Sequence, residues 1–170
     1  LGADRQDAFL AAAAAEGLDR RVEVAAPRVA TRAEIGRFHS AGHVDWVRVR
    51  SRIGEGFLDY GDTPAFPGCY EIAATVAGTA IEGLERIMAG RALRSFQAIG
   101  GLHHARRSRA AGFCVFNDLG VVIDSLRKHH GVARIGYVDI DVHHGDGIYY
   151  PYEADPDLIV VDIHEDGHHL

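Results

Sequence analysis

Cysteine is nearly absent from this chain of 170 residues, which contains only Cys69 and Cys114. Neither belongs to a Cys-x-x-Cys pair, so the sequence argues against a disulfide scaffold and against a cysteine-based zinc knuckle. Unpaired thiols of this kind fit a reducing compartment, and we expect a cytoplasmic location.

The chain also lacks long apolar runs and an excess of basic residues. No stretch of 18 apolar residues occurs and no signal-peptide pattern opens the sequence, so we expect no membrane association. The net charge of −6 argues against a nucleic-acid binder, which needs a basic face. This charge is compatible with a positively charged partner such as a lysine-rich peptide. The sequence does not indicate an oligomeric state.

Histidine, by contrast, is abundant in a composition that is otherwise ordinary. Hydrophobic residues make up 47% and charged residues 25% of the chain, which is typical of a globular protein of one domain. Among the 11 histidines, six form adjacent pairs at His103-His104, His129-His130 and His143-His144. The pair at 129–130 follows a predicted helix and is interpreted as a solvated helix end.

The hydrophobic periodicity predicts helices that alternate with strands. Capping signals and helical spacing favour helices over residues 4–16, 31–40, from about 42 onward, 70–88 and 117–130. Apolar β-branched runs predict strands at residues 22–24, 96–99, 134–142 and 158–163, the last two buried on both faces. This order of elements predicts an α/β fold with a parallel sheet.

The densest chemical signal lies at the end of the strand predicted over residues 134–142. Asp139, Asp141 and His143 alternate there, so a regular strand would place them on one face. Asp141 and His143 together suit a zinc-like ion, while Asp139, one step deeper, suits the orientation of an imidazole or a second cation. An isolated Asp-x-His is more often a solvated loop cap. Because unpaired burial of two acids in an apolar strand is costly, we favour a metal site.

A second cluster, His103-His104, follows the glycines at 100–101 and the short strand predicted before them. Neutral imidazole is the usual protein base near neutral pH, and Asp139 and Asp146 are carboxylates available to orient the two rings. Alone, this pair is more simply read as two surface histidines. Beside the first cluster, it indicates catalysis.

Three motifs, in this order, resemble the histone deacetylase superfamily: GGLHHARRSRAAGFCVFND, YVDIDVHHGDG and VDIHEDG. Within it, DTPAFPGCYE and HEDGHHL are similar to bacterial acetoin-utilisation-type deacetylases, and the resemblance covers residues 31–170. It implies an arginase/deacetylase-like three-layer fold with a central parallel sheet. It also implies hydrolysis of the acetyl amide of acetyl-lysine by a metal-activated water, with an acetylated protein or a small acetylated amine as substrate.

The resemblance assigns the cofactors. Asp141 and His143 match ligands of a divalent metal, usually zinc, and Asp139 and Asp162 match the surroundings of a potassium ion. Serine is common in the family where Asp162 stands, which weakens the expectation of potassium at that position.

Catalytic roles also follow from the resemblance. His104 matches the general base and His103 its electrostatic partner, with Asp146 behind His104 and Asp139 behind His103. For substrate binding, Gly112 and Phe113 match the tunnel around the acetyl-lysine stem, and Asp62 matches the rim aspartate that holds the substrate backbone. Taken alone, the aromatic residue after Gly112 is more often part of a core.

The resemblance also implies that residues 1–170 are a single, incomplete catalytic domain, truncated at both ends. A third metal ligand and a transition-state tyrosine are expected beyond Leu170, so we expect the chain alone to be inactive. Three alternatives remain open: an acetylpolyamine amidohydrolase of the same superfamily, an arginase-like enzyme with two manganese ions, and a non-catalytic acetyl-lysine binder. The His103-His104 pair argues against the arginase-like alternative.

Overall fold

The computed structural model describes residues 4–167, which form six helices and a short parallel sheet of two strands. The elements, in chain order, are α1 (Asp4–Ala15), α2 (Arg32–Ile35), α3 (Ala41–Ile53), α4 (Cys69–Met88), α5 (Asp118–His130), β1 (Ile135–Asp139), α6 (Asp146–Tyr152) and β2 (Leu158–Asp162). β1 and β2 pair in parallel, with Asp139 opposite Asp162. The predicted α/β class with a parallel sheet is therefore confirmed.

Side-chain caps begin the helices α2, α3 and α5, and the sequence predicts the first and the last of these caps. Thr31 and Glu34 form the expected capping box at the start of α2. The predicted extension of this helix to residue 40 is wrong, because the Ser40 side chain accepts a hydrogen bond from the His43 amide and begins α3. Asn117 caps α5 in the same way, and Gly131 ends it with a left-handed backbone.

Two of the predicted strands are absent from residues 4–167. Neither 22–24 nor 96–99 is a strand, and the sheet of the described residues consists of β1 and β2 alone. A short apolar segment becomes a strand only where another strand offers its hydrogen bonds. At 96–99 the contacts go elsewhere: the Gln97 side chain donates to the Val76 carbonyl of α4.

The prediction that both strands are buried on both faces is also wrong. Tyr137 and Leu158 point into the core, whereas Val138 is 68% exposed and its register partner Val161 is 44% exposed. The two strands therefore have one dry face and one apolar face open to solvent. β1 is also shorter than predicted and ends at Asp139.

The start of α5 fixes the loop that carries His103-His104. Asp118 accepts hydrogen bonds from the amides of Gly101 (3.0 Å) and Leu102 (2.8 Å). The Asn117 side chain donates to the Ala105 carbonyl at 2.9 Å. Burial raises the pKa of Asp118, and these amide donors act in the opposite direction. Residues 101–105 are thus held from both sides by one helix end.

Beneath this helix end lies a buried pair of histidines, His39 and His43. His39 Nε2 accepts a hydrogen bond from the Asn117 amide at 2.8 Å, and His43 Nε2 lies 2.9 Å from the Val115 carbonyl oxygen. Burial and, to a smaller extent, the nearby His43 lower the pKa of His39 to about 3. Burial also lowers the pKa of His43. Both rings therefore belong to the core in their neutral form.

No helix within residues 4–167 is both long and apolar enough to cross a membrane.

We expect His39 to make the fold sensitive to mild acid. An unfolded histidine binds a proton near pH 6.5, whereas folded His39 does so only at about pH 3. The stability from His39 is therefore present above about pH 6.5 and lost as pH falls towards 3, by about 1.4 kcal/mol per pH unit. Urea unfolding at a series of pH values measures this slope. His39→Gln should reduce it while the exposed control His129→Gln should not, and an unchanged slope in His39→Gln would contradict the assignment.

We also expect the open apolar face of the sheet to promote self-association. Exposed aliphatic side chains on a sheet with unpaired edges favour contacts between chains. Replacing Val138 and Val161 together by threonine keeps the β-branched shape and should lower the associated fraction in sedimentation velocity. Val49→Thr, at an exposed position of α3, is the matched control. Equal association in the double variant and the parent chain would count against this face.

Candidate active site

Asp139 is the buried centre of the candidate site. Its side chain is 8% exposed, and its Oδ2 lies 2.7 Å from His103 Nδ1. The Tyr137 hydroxyl donates to the same oxygen, and the Asp141 amide donates to Oδ1 at 3.0 Å. Burial alone would raise the pKa of Asp139, but the hydrogen bonds from Tyr137, His103 and Asp141 outweigh it and hold the pKa below the usual range.

Beyond Asp139 the chain leaves the strand in two successive turns made by carboxylates. After Asp139 accepts from the Asp141 amide, Asp141 Oδ1 accepts from the His143 amide at 2.8 Å. The strand predicted through residue 142 is therefore wrong beyond Asp139, yet these turns still bring Asp141 and His143 together. His143 Nδ1 lies 2.9 Å from Asp141 Oδ1, and both side chains are about half exposed.

The two clusters identified in the sequence meet at one place. His103 Nε2 lies 3.8 Å from Asp141 Oδ1, and the ring centroids of His103 and His104 are 4.1 Å apart. The His104 and His143 rings are 5.7 Å apart and nearly perpendicular. One carboxylate and three imidazoles therefore lie together in a small, solvent-accessible region at the carboxyl end of β1, where parallel sheets bind their ligands.

The carboxylate behind His104 has a different partner from the one behind His103. His104 Nδ1 lies 2.8 Å from Asp146 Oδ1, and Arg106 donates to Asp146 Oδ2 from Nε at 3.2 Å and also from Nη2. Burial alone would raise the pKa of Asp146, but the His104 and Arg106 contacts hold it below the usual range. The pair of His104 and Asp146 thus includes a permanent positive charge, whereas the donors to Asp139 among residues 4–167 are, besides His103, a hydroxyl and an amide.

Sequence reasoning missed Arg106 and Tyr137. The Tyr137 contact has a readable signal, because residues two apart on a strand share a face and Tyr137 precedes Asp139 by two. No local signal identifies Arg106, since its carboxylate partner lies 40 residues away in sequence.

Phe113 and Gly112 form one wall beside His104. A Cβ on Gly112 would lie 2.5 Å from His104 Cδ2, and the residue has a φ of +53°. Phe113 is the one described non-glycine residue with positive φ, at +64°, and the residue is 59% exposed. The alternative that Phe113 belongs to the core is therefore wrong. Its amide donates to Thr63 Oγ1 at 3.2 Å, which ties this wall to the loop at 59–63.

Asp62 lies in that loop and lines the same open cleft as Gly112 and Arg109. Asp59 shapes the loop by accepting from the amides of residues 61, 62 and 63. The hydroxyl of Thr63 also donates to Asp59, and together these hydrogen bonds hold the Asp59 pKa at about 2 against the opposing effect of burial. The cleft leads from Asp62 to the glycine that touches His104.

Asp162, at the end of β2, has three hydrogen-bond partners that the sequence did not reveal. Its Oδ2 lies 2.6 Å from His144 Nδ1 and accepts from the Gly145 amide at 2.9 Å, and its Oδ1 lies 3.0 Å from His164 Nδ1. His144 and His164 carried no sequence-based assignment. The contact with His144 depends on the register in which β1 and β2 pair, and this register cannot be predicted from local sequence.

The sequence profile of the histone deacetylase domain matches residues 2–170. The acetoin utilization protein AcuC of Bacillus subtilis is 35% identical over 155 residues, which cover 87% of this chain and 40% of that protein. The chain belongs to the histone deacetylase family. A histone deacetylase-like amidohydrolase of Pseudomonas aeruginosa is 34% identical, with 89% of this chain and 40% of that protein covered. Histone deacetylase 8 of Xenopus tropicalis is 33% identical, with 89% and 42% covered.

The fold agrees with that of the histone deacetylase family. The crystal structure of the HDA15 HD domain superposes with a TM-score of 0.85 at 28% sequence identity. The superposition covers 95% of this chain and 46% of that one. The chain spans about two-fifths of the length of the curated relatives it matches.

We expect Gly112→Ala to destabilise the chain through His104. The positive φ alone should cost about 1 kcal/mol, and the close contact with the imidazole should add about 1–3 kcal/mol. Gly131→Ala is the matched control, since Gly131 also has positive φ but no atom lies within 4 Å of the point that an alanine Cβ would occupy. Urea unfolding compares the two variants. An equal loss in both would show that the His104 contact contributes nothing.

Proposed function

We propose that this chain supplies the base- and metal-bearing part of the active site of a lysine deacetylase. The reaction is hydrolysis of the acetyl amide of acetyl-lysine in proteins. The observation that carries the proposal is the convergence of His103 and His104, each on its own carboxylate, with Asp141 and His143. Membership of the histone deacetylase family supports the same reaction class. We also propose that residues 1–170 belong to a single catalytic domain and form an incomplete part of it.

Asp141 and His143 would hold the divalent metal, which we propose is zinc. One carboxylate oxygen and one imidazole nitrogen, 2.9 Å apart and half exposed, are a donor set that suits this ion. When bound, the metal would polarise the acetyl carbonyl and lower the pKa of a water molecule. Asp139 would act behind these residues by fixing the Asp141 amide and, through the hydrogen bond at its Oδ2, the His103 ring.

His104 is the proposed general base. Its Nδ1 faces Asp146, so its Nε2 is the atom that would take a proton from the attacking water and later return one to the lysine nitrogen. The carboxylate of Asp146 keeps the ring in one orientation during both transfers, and Arg106 holds that carboxylate in place. His103, on the more buried Asp139, would stabilise the negative charge that develops on the substrate oxygen.

The wall and the loop define the proposed path of the substrate. The exposed ring of Phe113 and the bare backbone of Gly112 would flank the apolar stem of acetyl-lysine, and Asp62 at the other end of the cleft would accept from the substrate backbone. A protein substrate suits this open arrangement. An acetylated polyamine is the second candidate, because the carboxylates of Asp59 and Asp62 in the cleft also suit a small cationic substrate.

In the natural gene product that contains these residues, His104→Ala should reduce deacetylation of an acetyl-lysine peptide by about 10²–10⁴-fold. Asp141→Ala should also lose the metal ion held at this site, because it removes the carboxylate donor. Acetate release and elemental analysis measure the two effects, and His129→Gln is the control. Full activity in His104→Ala would exclude its role as base, and a metal content equal to that of the parent protein in Asp141→Ala would exclude its role as ligand.

The same assay distinguishes the candidate substrates and tests the 170-residue chain itself. Faster turnover of acetylpolyamine than of acetyl-lysine peptide would favour the small-molecule alternative. The 170-residue chain alone should be inactive, because it spans only about two-fifths of the length of the deacetylases that it matches. We further propose that the protein acts in the cytoplasm, in line with its two free thiols.

A further inference from the structure

Both strands of the sheet lead into the same short pattern of an acid, an aliphatic residue and a histidine. Asp141-Val142-His143 follows β1, and Asp162-Ile163-His164 lies at the end of β2. The local geometry repeats as well. The distance from the histidine Nδ1 to the aspartate Oδ1 is 2.9 Å in the first motif and 3.0 Å in the second. The second motif therefore holds its two donor atoms as closely as the proposed zinc ligands do.

A third donor joins the second motif. His144 Nδ1 lies 2.6 Å from Asp162 Oδ2, and the rings of His144 and His164 lie 4.6 Å apart at an angle of 35°. One donor atom from each of the three side chains lies within 4.8 Å of the other two. In a tetrahedral zinc site with bonds of about 2.0–2.2 Å, neighbouring donors are roughly 3.4 Å apart, so only small movements are needed.

We propose that His144, Asp162 and His164 form a second metal site, which takes zinc or another divalent transition metal that favours imidazole. Its carboxylate is better shielded than that of the first motif: the side chain of Asp162 is 8% exposed, against 51% for Asp141. Charge attraction is stronger where water is excluded. The two imidazoles remain partly exposed, which leaves a route for the ion and room for a water as fourth ligand.

The donor chemistry separates this site from the potassium site expected at Asp162. Hard cations prefer oxygen ligands, whereas two of the three donors here are imidazole nitrogens. Each oxygen of Asp162 already lies against one of these nitrogens. A neutral imidazole that carries its ring proton on Nε2 has a free lone pair on Nδ1, so a transition metal can lie between each Nδ1 and Asp162 in place of the present hydrogen bond.

The site would join the segment that follows β2 and carries His164 to the turn that carries His144. Gly145, in that turn, already donates to Asp162 at 2.9 Å, so a metal held by His144 and His164 adds a second link across the sheet edge. This site is independent of the catalytic proposal, because it uses none of the side chains assigned to the reaction.

The test is zinc binding to the chelator-stripped chain in a buffer with excess potassium chloride. Titration calorimetry gives the affinity and elemental analysis after dialysis gives the stoichiometry. The variants are His164→Gln, Asp162→Asn and Asp141→Ala, with His129→Gln and the double variant His168→Gln/His169→Gln as histidine controls. His164→Gln removes a partly exposed ligand, so it tests the site even if Asp162→Asn disturbs the fold.

We expect one tight zinc in the parent chain, in Asp141→Ala and in both histidine controls, with at least a tenfold rise in Kd for His164→Gln. Zinc should also shift the Nδ1 resonances of His144 and His164 in long-range ¹H–¹⁵N spectra. Unchanged zinc affinity in His164→Gln would overturn the proposal. Loss of the tight zinc in Asp141→Ala or in the His168/His169 double variant, or its displacement by potassium, would overturn it as well.

Discussion

The buried negative charge of Asp139 determines how the surrounding segments of the site are arranged. A buried carboxylate is tolerated only when its oxygens are matched by donors, and here each donor belongs to a different part of the site. Tyr137 comes from the same strand, His103 from the loop held by α5, and the Asp141 amide from the turn that leads to His143. One buried charge therefore fixes the relative positions of three segments of the site.

A second constraint is the difference between the two imidazole–carboxylate pairs. Asp146 accepts hydrogen bonds from the guanidinium of Arg106, whereas Asp139 accepts hydrogen bonds from the Tyr137 hydroxyl and the Asp141 amide. Adjacent residues in the chain, His103 and His104, thus face carboxylates in unlike electrostatic surroundings. Two neighbouring imidazoles with unlike partners can divide proton transfer from charge stabilisation, a division of roles seen wherever an active site uses two similar groups.

Local chemistry could be predicted from the sequence, whereas long-range contacts could be predicted only where strand-end placement or the family resemblance indicated them. The capping box of Thr31, the cap at Asn117 and the meeting of His103 with Asp139 follow from patterns of a few residues or from strand-end placement. The strand predicted at 96–99 failed because pairing depends on a partner that no local pattern specifies. The extent of β1 was overestimated because the Asp139 side chain takes up the Asp141 amide and bends the chain away.

The backbone conformation of Phe113 has an energetic cost for the fold. The left-handed backbone conformation costs an aromatic residue roughly 1–2 kcal/mol more than it costs a glycine. Most of the Phe113 surface is exposed to solvent rather than packed in the core. Phe113 adds little to the stability of the fold, so only a contact between its ring and a molecule outside the chain can compensate for its backbone strain. The wall next to His104 is thus preshaped at the expense of stability, and a bound apolar group would recover part of that loss.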